Sequence, residues 1–181
     1  MSIPTPFNPM GTLGAELPYV QPIMTSLTDW SNKTGPGAAS FGLSMTSSPS
    51  VHRSHDAWYA LNGASSSSYE NGWMMASGKS GNTIITFNDS KTVKITRLEF
   101  YSQNDGRGFE NYRLTVYSLG ADGDWVQKGQ ITTNIPFGTS FGFNGFDLDE
   151  PVFSNKYKII VDNASAFSHV MSMKLIGVYK P

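Results

Sequence analysis

From about residue 40 onward the chain is dominated by short runs in which apolar and polar side chains alternate. TIITF (83–87) is a short apolar run. In ITRLEFY (95–101), Leu98 and Phe100 fall on one face and Arg97 and Glu99 on the other. YRLTVYS (112–118) collects Tyr112, Leu114 and Val116, and YKIIVD (157–162) collects Tyr157, Ile159 and Val161. HVMSMKLIGVY (169–179) is a last run of the same kind. A period of two is the signature of a strand with one face buried. The intervening NDS, SQNDGRG, GADGD and SNK segments carry turn-forming residues. No amphipathic helix of convincing length and no internal repeat interrupts this pattern, so the expected fold is all-β, an antiparallel sandwich.

Residues 1 to 40 follow a different rule. Pro4, Pro6, Pro9, Pro18 and Pro22 break any helix and withhold ladder hydrogen bonds. Between them stand Ile3, Phe7, Met10, Leu13, Leu17, Tyr19, Val20 and Ile23. A disordered linker would be more polar. The segment reads as an extended arm, 1–40, ahead of a sandwich domain, 41–181. Ile3, Phe7, Met10 and Leu13 are candidates to pack either on the chain's own domain or on a neighbouring subunit.

Composition narrows the partners. Of the 181 residues 39% are hydrophobic, enough for a core, and only 15% are charged. The polar surface therefore rests on Ser, Thr, Asn and Gly, a character common in extracellular and virion proteins. A formal net charge of −1 gives no field to attract a polyanion, which argues against nucleic acid. There is no cysteine, so disulfides, thiolate metal sites and cysteine nucleophiles are excluded. No apolar run is long enough for a spanning helix, and membrane insertion is not expected. The opening MSIPTPFNPMG lacks the basic and apolar regions of a secretory signal. Release by lysis, inside a phage particle, would bring such a surface outside the cell.

The histidine-rich stretch HRSHD (52–56) raises the question of chemistry. Zinc requires three or four protein ligands. His52 and His55, with Asp56 or His169 as a third, are not forced together by any spacing. No serine sits in a G-x-S-x-G elbow, and no pair of carboxylates stands out as a glycosidase would need. Asp147, Asp149 and Glu150 cluster beside Pro151 in what reads as a solvated turn. The chain is not expected to be an enzyme.

Taken in order, AWYALNG (57–63), GW (72–73), NTIITF (82–87), KITRLEFYS (94–102), NYRLTVYSLGADGDW (111–125), YKIIVDN (157–163) and KLIGVY (174–179) resemble the discoidin, or coagulation factor 5/8 type C, family of the galactose-binding-like superfamily. The register holds over about 140 residues, and its most specific element runs from Tyr112 to Trp125. The segments PIMTS (22–26) and SMTSSPS (44–50) further resemble openings of such domains in tailed-phage tail proteins. The resemblance implies a jelly-roll β-sandwich of about eight antiparallel strands with binding loops at one end. Asp122-Gly123 suits a tight hairpin turn, and Trp125 is expected to fold back over the apolar face of that hairpin. Trp58 and Trp73 are expected in the core, as is Leu61.

The resemblance also bears on ligands. Many relatives hold calcium in the loop after A-x-D-G, with an acid near the last strand. Here Asn62 stands in place of Asp, and no acid occurs from Asn163 to Pro181, where Lys174 lies instead. Calcium favours several carboxylates. No cofactor is therefore expected, and Asn62, Ser65 and Ser67 are the neutral oxygens at which an ion would sit. The segments matching the family's binding loops are 47–57 and 102–111. They offer His52, Arg53 and His55, and Asn104, Arg107 and Phe109. Planar polar groups beside an aromatic ring suit a sugar, and the polar loop tips disfavour lipid. The expected function is attachment: a non-catalytic, tail-associated phage virion protein, homo-oligomeric, that binds host cell-surface carbohydrate. The alternative is a structural adaptor or decoration protein whose sandwich and arm bind other virion subunits.

Overall fold

The computed structural model describes residues 16–20, 43–48, 60–61, 73–74, 80–87, 90–102, 112–133, 142–162, 169–170 and 172–180. Within them lie β1 (Leu17–Val20), β2 (Leu43–Ser48), β3 (Trp73–Met74), β4 (Ser80–Phe87), β5 (Val93–Ser102), β6 (Tyr112–Leu119), β7 (Trp125–Thr133), β8 (Gly142–Asp147), β9 (Phe153–Ser154), β10 (Lys156–Asp162), β11 (His169–Val170) and β12 (Ser172–Tyr179). One five-stranded sheet has the order β1-β12-β5-β8, with β9 also paired to β5. The other has the order β2-β4-β10-β6-β7, and β3 and β11 form a two-stranded ribbon. Each of these pairings is antiparallel. The jelly-roll sandwich is the architecture that the alternating runs and the resemblance imply.

The period-two reading places the core correctly. Leu98, Phe100, Met173 and Leu175 of the first sheet face Ile85, Leu114, Val116, Tyr157, Ile159 and Val161 of the second, all 1% exposed or less. Leu61 and Trp73 are buried with them, and Trp58 lies outside the described residues. Strict alternation would put Ile95 on the solvent face with Arg97 and Glu99. A bulge corrects this: β12 pairs Ile176 with Arg97 but Gly177 with Ile95, so Thr96 is the extra residue. Ile95 thereby turns inward and is fully buried. The bulge requires glycine at 177, where a Cβ would fall on the Lys94 carbonyl oxygen and 2.9 Å from the Ile95 Cα.

Part of the segment expected as an arm belongs to the sandwich. β1 pairs along the edge of β12, with Tyr19 opposite Gly177. Tyr19 is fully buried, its ring edge-on to Phe87 of the other sheet at 5.4 Å between centroids. A four-residue edge strand carrying a proline has few ladder bonds of its own. Burying a ring of this size contributes about 2–3 kcal/mol and is the stronger anchor. Glu16 adds an exposed ion pair to Lys94 at 2.8 Å. Ile3, Phe7, Met10 and Leu13 lie outside the described residues.

The far side of the sandwich has a clasp. A second bulge, between the pairs Val116–Gly129 and Tyr117–Gln127, leaves Lys128 as the extra residue on edge strand β7. Its carbonyl accepts the Asp149 N–H at 2.6 Å, and its ammonium donates to the Glu150 carbonyl at 3.0 Å. This closes part of an otherwise open sheet edge. Asp149 and Glu150 are exposed in the bend beside it, as expected, whereas Asp147 is the exposed last residue of β8, opposite Arg97, from which it accepts a hydrogen bond at 3.0 Å.

Candidate functional site

The strand registers sort the connections by end. Asp162 of β10 pairs with Ser80 of β4 and with Arg113 of β6. Ser48 of β2 lies opposite Asn82, and Tyr112 opposite Thr133. In the other sheet Ser102 pairs with Gly142, and Ser172 with Tyr101. The short step from Phe87 of β4 to Val93 of β5 crosses between sheets at the opposite end, which aligns the two sets of strand ends. The chain therefore leaves β2 at Ser48, β5 at Ser102, β7 at Thr133 and β10 at Asp162 all at one end. The other end carries tight turns. In the hairpin between β6 and β7, Gly123 takes φ 91° and its N–H donates to the Gly120 carbonyl at 3.1 Å.

This arrangement bears on the sequence candidates by topology. His52, Arg53 and His55 follow β2, and Asn104, Arg107 and Phe109 follow β5. Both sets are thus tethered to the same end of the sandwich. The six residues themselves lie outside the described residues, as do Asn62, Ser65 and Ser67. His169 stands in β11, opposite Met74. Among the described residues no group of three His, Asp or Glu side chains is placed to hold a metal ion.

Two described features at and below this end escape a reading of sequence alone. At the rim, Arg113 donates to one carboxylate oxygen of Asp162 from Nε at 3.1 Å and from Nη2 at 2.7 Å. Both side chains point outward, since their neighbours Leu114 and Val161 point into the core. Alternation shows the outward direction; only the register makes them a pair. Further from the rim, Lys158 lies across two rings, 5.0 Å from the centroid of Tyr117 and 4.8 Å from that of Trp125. Trp125 is half-buried and faces outward, opposite Leu119. The expectation that it covers the apolar face of its hairpin is corrected. The pairing phase puts it on the solvent side, where a lysine rather than the core covers its ring.

Comparison with known structures then places the architecture. A family 32 carbohydrate-binding module of NanJ from Clostridium perfringens, solved with galactose, superposes with a TM-score of 0.55 at 11% identity, over 74% of this chain and 93% of that one. The family 32 module of EndoD from Streptococcus pneumoniae gives 0.53 at 16% identity, over 77% and 97%. This chain has their fold. A fucolectin from striped bass serum gives 0.57 at 13% identity, over 77% of this chain and 46% of that one. Neither a protein-family model nor the sequence of a curated protein matches the chain. The β-sandwich is thus shared at the level of backbone geometry. At identities this low the shared backbone carries no assignment of individual binding residues.

Proposed function

We propose that the chain is a non-catalytic carbohydrate-binding module, and that it serves a tailed-phage particle by attaching to a host surface glycan. The observation that carries the reading is the sandwich shared with carbohydrate-binding modules over about three quarters of the chain. The two segments with sugar-compatible side chains also leave the sheets at a single end, the end formed by the longer connections. Rigid strands with ligand-facing groups on the connections suit recognition without chemistry. In this reading Arg107, Asn104, Arg53, His52 and His55 donate and accept hydrogen bonds to sugar hydroxyls, and Phe109 stacks on the ring's C–H face. The phage setting rests on the sequence resemblance and on the low-charge surface.

The test is a glycan array and whole-cell binding with the intact chain. Arg107→Ala and His55→Ala abolish binding while leaving the melting temperature unchanged. Absence of binding to every host glycan, or full binding by both variants, overturns the reading.

A further inference from the structure

The outer face of the β2-β4-β10-β6-β7 sheet carries a second feature, independent of the loop end. Lys156 and Lys158 are successive outward residues of β10, about 7 Å apart along the strand. Register sets Lys158 beside Tyr117, while Lys156 pairs with Thr86 on the other side and just precedes the Tyr157–Ser118 pair, next to which Leu119 lies opposite Trp125. The Lys158 ammonium rests on both rings, within 5.0 Å of each centroid. This holds a long, normally mobile side chain flat on the sheet as a fixed positive centre. Among the described residues neither lysine has a carboxylate partner. Among the described residues the carboxylates of that face and its turn are Asp162, which Arg113 neutralises, and Asp122 and Asp124 in the exposed hairpin turn.

We infer that this face is a binding surface for an acidic polysaccharide. Two cations without a carboxylate partner among the described residues supply ion pairs to sugar carboxylates. The half-exposed parts of Trp125 and Tyr117 supply an apolar surface for pyranose C–H groups, and exposed Gln127 supplies an amide for hydroxyls. A neutral sugar would leave both cations unused. The net charge of −1 opposes general attraction of polyanions, so recognition comes from this local combination of charge and ring. The surface lies on the sheet face rather than on the connections, and it does not depend on the loop-end reading.

The experiment is affinity electrophoresis of the full chain through gels containing polygalacturonate, with dextran as the neutral control. The probe retards the native chain. The double variant Lys156→Gln/Lys158→Gln weakens that retardation about tenfold or more, and Arg107→Ala leaves it intact. Retardation also falls with added salt, because exposed ion pairs are screened. Absence of retardation, or retardation unchanged in the double variant, overturns the inference. So does equal binding of single-stranded DNA, which would mark the patch as a general polyanion contact. A double variant that lowers the melting temperature with no polygalacturonate binding in the native chain would leave Lys158 only the task of pinning its two rings. Loss of retardation in Arg107→Ala alone would instead place the acidic ligand at the loop end.

Discussion

The Tyr157 hydroxyl joins the two sheets by accepting the backbone N–H of Ile95 at 3.1 Å. Tyr157 belongs to β10 of one sheet and Ile95 to β5 of the other. The same hydroxyl has one proton to share between the Val93 carbonyl at 2.9 Å and the Val152 carbonyl at 2.8 Å. A polar bond inside the sandwich fixes how β5 sits over β10, and it satisfies the N–H that the Thr96 bulge turns away from the ladder.

Removing that hydroxyl leaves a buried N–H without an acceptor. Tyr157→Phe is therefore expected to cost about 1–3 kcal/mol, chiefly the desolvation of the Ile95 N–H. That corresponds to a fall of several degrees in melting temperature for a chain of this size. Denaturant unfolding at neutral pH measures it, and an unchanged midpoint would show that the hydroxyl's bonds contribute nothing net.

The buried tyrosines predict a weakness to alkali. Burial pushes the Tyr157 hydroxyl up to about 12, and the Ile95 hydrogen bond pulls slightly the other way. Burial pushes Tyr19 up further still. An unfolded tyrosine titrates near 10. Above that pH the unfolded chain gives up protons that the folded chain retains, so stability falls as pH rises. The stabilisation is whole below pH 10 and is lost progressively through about pH 12. The expected slope is about 1.4 kcal/mol per pH unit for each residue. Urea unfolding at pH 9 to 11.5 tests this, and Tyr157→Phe should flatten the slope.

Two glycines should respond differently to alanine. Gly177→Ala drives a Cβ into the backbone of Lys94 and Ile95. Backbone cannot rotate aside, and roughly 3 kcal/mol is expected, with loss of hydrogen-exchange protection along β5 and β12. Gly123→Ala meets no atom within 4 Å and suffers only from φ 91°. About 1 kcal/mol is expected there, confined to the hairpin. Equal protection losses in the two variants would contradict the bulge assignment.

Truncations separate the arm from the fold. Deleting residues 1–22 removes β1 and pulls Tyr19 out of the core, at an expected cost of about 3–5 kcal/mol. It also bares the edge of β12 for aggregation. Any assembly defect in that chain is then a folding defect. Deleting 1–15 keeps Glu16 and β1, and is expected to melt within a few degrees of the full chain. Its oligomeric state by light scattering tests the assembly role of Ile3, Phe7, Met10 and Leu13.

The sequence by itself determined the fold class and most of the core. Leu98 and Phe100, Leu114 and Val116, and Tyr157, Ile159 and Val161 all face inward where alternation puts them. Alternation is local, since successive residues of a strand point to opposite faces whatever the strand pairs with. The family resemblance, not alternation, singled out 47–57 and 102–111, with Phe109, Arg107 and the two histidines as their notable side chains, and beyond Ser48 and Ser102 these segments lie outside the described residues. Tertiary structure decided everything that depends on register between strands distant in the chain. The Thr96 bulge returns Ile95 to the core because Gly177, 82 positions later, lets the backbones approach. Tyr19, within a stretch that reads as an arm, becomes a core residue because β12 offers an edge to pair with. Trp125 is expected over the apolar face of its hairpin, yet its phase against Leu119 turns it outward to meet Lys158. In each case the missing information is a pairing made across many residues, and no local pattern encodes which partner supplies it.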